Sequence, residues 1–225
     1  MLAVVALLTV IHAVVLFLFY RFDNPDLFFY VRWFDLDIEK NVPSIYAAFA
    51  LFVCALLFFI IAMCKRKRLD YETVCWFGLA AIFLFLSLDE GLKIHEYIGD
   101  AAETYIDATG FIYFPWVVPY GIAVILIALV YLKFILELPK SIAARFVLAG
   151  VVYLTGAVVF DMLGGRVAER NGYDAAAYCV LYTIEEFLEM AAIVFLIHAL
   201  LLYIESAFGH LSISLRIEAK TEDRP

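Results

Sequence analysis

Ser44–Cys64 reads SIYAAFALFVCALLFFIIAMC and is followed at once by Lys65-Arg66-Lys67-Arg68. None of its 21 residues is charged. Wound as an α-helix the stretch extends about 31 Å, which matches the ~30 Å hydrocarbon core of a bilayer. A basic cluster directly after it is the mark of a cytoplasmic helix end. This stretch decides the class of the protein, and five more like it decide the fold.

Working outward, Leu2–Tyr20 precedes it as a first span. A third starts near Thr73, is uncharged to Leu88, and keeps helical character towards Tyr97. The fourth is Phe114–Leu136, the fifth Phe146–Leu163 and the sixth Tyr178–Ile204. No alternating strand pattern competes, and backbone inside lipid must satisfy itself, so we expect an all-α bundle of six transmembrane helices. The composition agrees: of 225 residues 66% are apolar and 18% charged, with mean hydropathy +0.94. That excess excludes a soluble enzyme and a disordered chain. A net charge of −8 excludes a nucleic-acid partner. Leu2–Tyr20 has no basic leader and no small-residue cleavage site before Arg21, so it reads as a retained span rather than a secretion signal.

Lysine and arginine give the orientation. Lys65, Arg66, Lys67, Arg68, Lys133, Lys140, Arg145, Arg216, Lys220 and Arg224 fall on one side; Arg21, Arg32, Lys40, Arg166 and Arg170 fall on the other. Both termini are therefore expected in the cytoplasm, in a bacterial-type plasma membrane. The expected organisation is one transmembrane domain over residues 1–205 and a short polar tail over 206–225.

Between spans one and two, Leu27, Tyr30, Val31, Phe34 and Ile38 recur at helical spacing within Asp26–Lys40. This predicts an amphipathic helix lying in the outer interface. Phe114, Trp116 and Tyr120 continue an aromatic belt, with Pro115 in the first turn of span four. Gly164-Gly165 is expected to end span five. Cys54, Cys64, Cys75 and Cys179 form no metal-finger spacing and read as small hydrophobes.

Charge inside a span is costly and marks function by default. Span three carries Asp89, Glu90, Lys93, His95 and Glu96; span five carries Asp161, with Arg166 beyond it; span six carries Glu185, Glu186 and Glu189. Helical rise puts Asp89 about 24 Å and Asp161 about 22 Å from the cytoplasmic starts of their spans, and Glu185 and Glu186 about 10–12 Å below the outer face. All meet at one level in the outer half, with Glu189 deepest. Asp89, Lys93 and Glu96 are expected to share one face at i, i+4, i+7, and Glu189 shares faces with Glu185 and Glu186. Ser87–Leu92 also echoes Thr183–Leu188 at an offset of 96 residues, thin evidence for an inverted repeat.

Lys93 and Arg166, with His95 as a possible third cation, cannot balance seven carboxylates. Like charges a few ångströms apart in low dielectric do not all stay ionised, so a cation, either metal or proton, is expected to join them. As metal ligands the candidates are Asp89, Glu90, His95, Glu96, Asp161, Glu185, Glu186 and Glu189, a donor set suited to Zn, Mn, Fe or Ca. Lys93 and Arg166 are the balancing charges. A di-iron site is disfavoured because no Glu-x-x-His unit is present. His12 and His198, on different spans, could ligate haem, but each reads better as a satisfied buried histidine. Ser87 near His95 lacks a nucleophile turn. The expectation is a cation site in the outer half of the bilayer, with movement of that cation as an extension. The alternatives are a metal-dependent membrane enzyme acting on a lipid-like substrate, and an accessory subunit docking a partner through an acidic face. Expected partners are membrane lipids and a second copy or another membrane subunit.

Overall fold

The computed structural model describes residues 1–22, 25–66 and 70–209. Lys67, Arg68, Arg216, Lys220 and Arg224, which entered the charge count, and residues 210–225 of the expected tail lie outside the described residues.

The described residues form nine α-helices and no strand. They are α1 (Leu2–Phe22), α2 (Phe28–Phe34), α3 (Val42–Lys65), α4 (Tyr71–Leu92), α5 (Ile94–Glu103), α6 (Val117–Glu137), α7 (Lys140–Leu154), α8 (Asp161–Asn171) and α9 (Ala176–Phe208). A π-helical stretch, Thr155–Phe160, joins α7 to α8 without a break. Counted that way, six helices are long and apolar enough to cross a membrane.

Local chemistry sets the boundaries. Asn41 caps α3 with a capping box: its Oδ1 accepts the Ser44 N–H at 3.2 Å and its own N–H donates to Ser44 Oγ at 3.1 Å. Asp70 caps α4 by accepting the Thr73 N–H at 2.9 Å. One core lies between α3, α4, α7 and α9 and takes in Phe134 from α6; Trp76, Phe58, Phe134 and Phe146 are all buried there. Trp76 meets Phe134 edge to face at 4.9 Å. Another packs Val5, Leu8 and Leu16 of α1 against Tyr178, Tyr182 and Met190 of α9. Helix α6 stays peripheral, with only Val117 and Phe134 buried. Cys54 and Cys75 are buried as expected, Cys179 is half-buried, and Cys64 is exposed.

Four expectations are corrected. The helix expected over Asp26–Lys40 is only α2, seven residues long after a 3₁₀ turn; beyond Phe34 the chain turns extended at Asp35 (φ −68°, ψ 131°). The third span does not run on to Tyr97. Lys93 adopts the left-handed conformation (φ 64°, ψ 43°), ending α4 and starting α5 in a new direction. Pro115 sits ahead of α6 rather than in its first turn. Gly164-Gly165 does not end the fifth span, which continues to Asn171. Both glycines are buried inside α8, and a Cβ on Gly165 would lie 3.0 Å from Phe114 Cδ2 and 3.1 Å from Tyr113 Cβ. They are packing glycines: the loop before α6 presses on Gly165, and Tyr178 of α9 lies against Gly164.

Gly156, in the π stretch, is tighter still. A Cβ there would sit 2.8 Å from the Glu185 carbonyl oxygen and 3.0 Å from Glu189 Cγ. The bare backbone lets the α7–α8 rod touch α9 at its acidic turn. Gly156→Ala is therefore expected to destabilise the protein by about 2 kcal/mol through overpacking against backbone that cannot yield. Thermal unfolding in detergent measures this; Gly150→Ala, which meets nothing within 4 Å, is the control.

Candidate functional site

Helices α4, α6, α7 and α9 line a partly open cavity of about 820 Å³, to which α5, the π stretch, Asp161 at the head of α8, Leu51 of α3, Trp116 and Glu39 also contribute. Asp89, Glu90, His95, Asp161, Glu185, Glu186 and Glu189 all line it. Seven of the eight residues expected as ligands are thus brought together. The eighth, Glu96, is exposed beyond the kink, where its carboxylate takes Lys93 Nζ at 2.9 Å. The broken helix is the reason: Asp89, Lys93 and Glu96 do not share a face. Arg166, expected as a balancing charge, does not line the cavity; its guanidinium lies over the Phe111 ring at 4.4 Å.

Asp89 is the organiser of the kink. Its Oδ1 accepts the His95 backbone N–H at 2.6 Å and its Oδ2 accepts the Tyr120 hydroxyl at 3.0 Å. Its own carbonyl accepts the Lys93 N–H at 2.7 Å. One carboxylate therefore ties the end of α4, the start of α5 and the top of α6 together. The π stretch positions Asp161 in a comparable way. The Asp161 N–H reaches back to the carbonyl of Gly156, and the wider turn resets the register of α8 so that its first residue faces the cavity. Asp161 is 8% exposed, and its Oδ2 is buried with no hydrogen-bond partner. Ser87 is committed elsewhere, donating to the Ala48 carbonyl at 2.8 Å.

The sequence reading missed Glu39. It lines the cavity and sets Oε1 3.2 Å from His95 Nε2. Lys93 Nζ is 3.3 Å from Glu39 Oε2, within ion-pair reach but without hydrogen-bond direction. His95 Nδ1 is 3.4 Å from Asp89 Oδ1, so the imidazole stands between two carboxylates. Glu39 is delivered by the extended segment after α2, which is pinned along its length. Leu36 N–H donates to His12 Nδ1 at 3.1 Å, Tyr178 donates to Asp37 Oδ1 at 2.7 Å, and Asn41 Nδ2 donates to the Asp35 carbonyl at 2.6 Å. Thr183 donates to the Cys179 carbonyl, so its oxygen accepts the second imidazole nitrogen, His12 Nε2, at 3.0 Å. Buried Asp35 lies 3.3 Å from His12 Nδ1, and burial raises its pKa above the usual carboxylate range. The signal for this segment was present: acids at 35, 37 and 39 alternate with Leu36 and Ile38, a period of two rather than a helical one.

His12 is thus a satisfied buried histidine. His198 is exposed. It lies about 22 Å along α9 from Thr183, the partner of His12, so the two histidines do not face a common haem.

Burial pulls the His95 pKa down, but its hydrogen bonds and charge attraction to Asp89 and Glu39 outweigh this and push it up to about 10. A base raised from 6.5 stabilises the fold fully below pH ~6.5, and that contribution is lost as pH rises through about 10. Thermal midpoints of the wild type should therefore fall between pH 7 and 10 more steeply than those of His95→Gln. Superimposable pH profiles would show that the imidazole is not held as a cation.

Among the described residues no three His, Cys, Asp or Glu side chains are grouped closely enough to hold a metal ion. The expected metal ligands share a cavity without forming a chelating set. The family described as a domain of unknown function, DUF8692, matches residues 1–204. The chain belongs to that family. The DUF8692 match spans all six apolar helices except the last four residues of α9, so it includes every residue of the cavity. Neither the curated proteins nor the solved structures include a match to the chain.

Proposed function

We propose that this protein is a multi-pass membrane protein that binds a cation at the acid-lined end of the cavity, in the outer half of the bilayer, with both termini in the cytoplasm. The observation that carries the reading is Asp161: a carboxylate oxygen buried, unpartnered and set beside Glu185, Glu186 and Glu189 in the same cavity. A buried charge without a partner is expensive, and a positive ligand removes that cost. Seven carboxylates face the cavity, against the one imidazole that lines it and Lys93 beside Glu39. The acids turn inward, which favours a pocket over an acidic docking face. Below Glu189 the lining on α9 is Ala192, Ile193 and Leu196, which favours a site entered at one level over a polar path through the membrane.

The test is thermal unfolding of the purified protein with and without Na⁺, Ca²⁺, Mn²⁺, Zn²⁺ and tetraphenylphosphonium. At least one cation is expected to raise the midpoint by mass action, and the rise should vanish in Glu186→Gln. No rise with any of them, or an equal rise in the variant, overturns the reading.

A second reading, an enzyme acting on a lipid-like substrate, draws on the apolar body of the same cavity. Lipid turnover by the reconstituted protein, lost in Glu189→Gln, would favour it.

A further inference from the structure

We infer that the cation this site takes is an organic amphiphile, with a quaternary or protonated head among the acids and hydrocarbon between α4, α6 and α7. The inference rests on the cation-site reading above and names the class of ligand.

Size is the first argument. A bare or singly hydrated ion needs space on the order of ~30 Å³ per water-sized body, whereas about 820 Å³ falls in the range of small-molecule sites. The division of polarity is the second. The acids are gathered where the π stretch, α4 and the upper part of α9 meet. From there the cavity continues along α6 over Ala123, Val124, Ile127 and Ala128. From Tyr120 to Ala128 that wall runs about 12 Å. Ala149 and Gly150 of α7 also line it. A single methyl group and a bare Cα at these positions leave room that larger side chains would fill.

The form of the charge is the third argument. The carboxylates are not grouped as metal ligands; spread over several helices, they present a broad negative surface. That suits a bulky cation of low charge density, which gives up little hydration on entering. A small divalent ion demands close, convergent oxygens instead. The unpartnered Asp161 Oδ2 supplies the charge complement at the polar end. The same acids repel phosphate-headed lipids, which selects the cation among amphiphiles.

The experiment is equilibrium binding of radiolabelled tetraphenylphosphonium to the full-length protein in nanodiscs, with tetraphenylborate as the anionic match in size and shape. Saturable binding of one phosphonium per chain is expected, with none for the borate. Affinity should fall at least tenfold in Glu186→Gln, which removes charge, and at least tenfold in Ala128→Phe, which fills the apolar arm. Val124→Trp repeats the second test if Ala128→Phe is not monodisperse. Comparable borate binding, or phosphonium binding indifferent to either class of variant, overturns the inference. Failure of phosphonium to bind, alongside a Glu186-dependent thermal shift with Na⁺, Ca²⁺, Mn²⁺ or Zn²⁺, overturns the amphiphile and leaves the cation site standing. No response to any cation overturns both.

Discussion

Glu39→Gln is expected to lower stability by about 3 kcal/mol, the loss that follows when one partner of a largely buried ion pair is removed and the other is left behind. The Glu39 and His95 side chains are 16% and 23% exposed, so solvent screens the pair only in part. Neutralising Glu39 also leaves Lys93 with Glu96 alone. Because Lys93 holds a left-handed backbone at the α4–α5 kink, the effect should reach the mouth of the cavity. The pairing predicts non-additivity: Glu39→Gln with His95→Gln should cost less than the sum of the two single changes, by at least 1 kcal/mol. Urea or thermal unfolding in detergent provides the cycle. A Glu39→Gln change within ~0.5 kcal/mol of wild type would show that the contact is ornamental.

The acids on α8 and α9 are expected to behave in the opposite sense. Asp161→Asn, Glu186→Gln and Glu189→Gln each remove a carboxylate from a cavity where several face one another without matching cations. Each is expected to stabilise the ligand-free protein by about 2 kcal/mol and to abolish the cation-dependent thermal shift. Stability bought at the expense of binding is the signature of a site. A polar network that only glues helices together would instead be weakened by the same substitutions. Loss of stability in all three would contradict the assignment.

The contrast between Glu39 and Glu186 also shows what the sequence could reveal. Uncharged runs of about 20 residues settle the number of long helices, because hydrocarbon tolerates little else. The level at which Asp89, Asp161 and Glu185 meet follows from counting rises along three helices, and the cavity does contain them all. What escaped the count were departures from regular helix. Lys93 in the left-handed region broke the face shared by Asp89 and Glu96, and a lysine carries no glycine-like warning of such a turn. The π stretch set the register of Asp161 with no proline to announce it. Gly164-Gly165 reads as a stop signal, yet both are consumed by packing against Tyr113, Phe114 and Tyr178. Glu39 was legible only as period-two alternation, and the helical spacing of Leu27, Tyr30, Val31 and Phe34 upstream concealed it. The echo between Ser87–Leu92 and Thr183–Leu188 brings acids to the same cavity, but α4 ends at Leu92 while α9 runs on to Phe208, so the surrounding elements are not matched halves.

The most direct measurement is an anomalous difference map from crystals of the protein grown with tetraphenylarsonium, whose arsenic marks the centre of the charged head. The account predicts one strong peak inside the cavity, bounded by Asp161, Glu186 and Glu189 and absent from Glu186→Gln crystals. A peak on the outer surface of the bundle, or none with those three carboxylates turned away from one another, would contradict it.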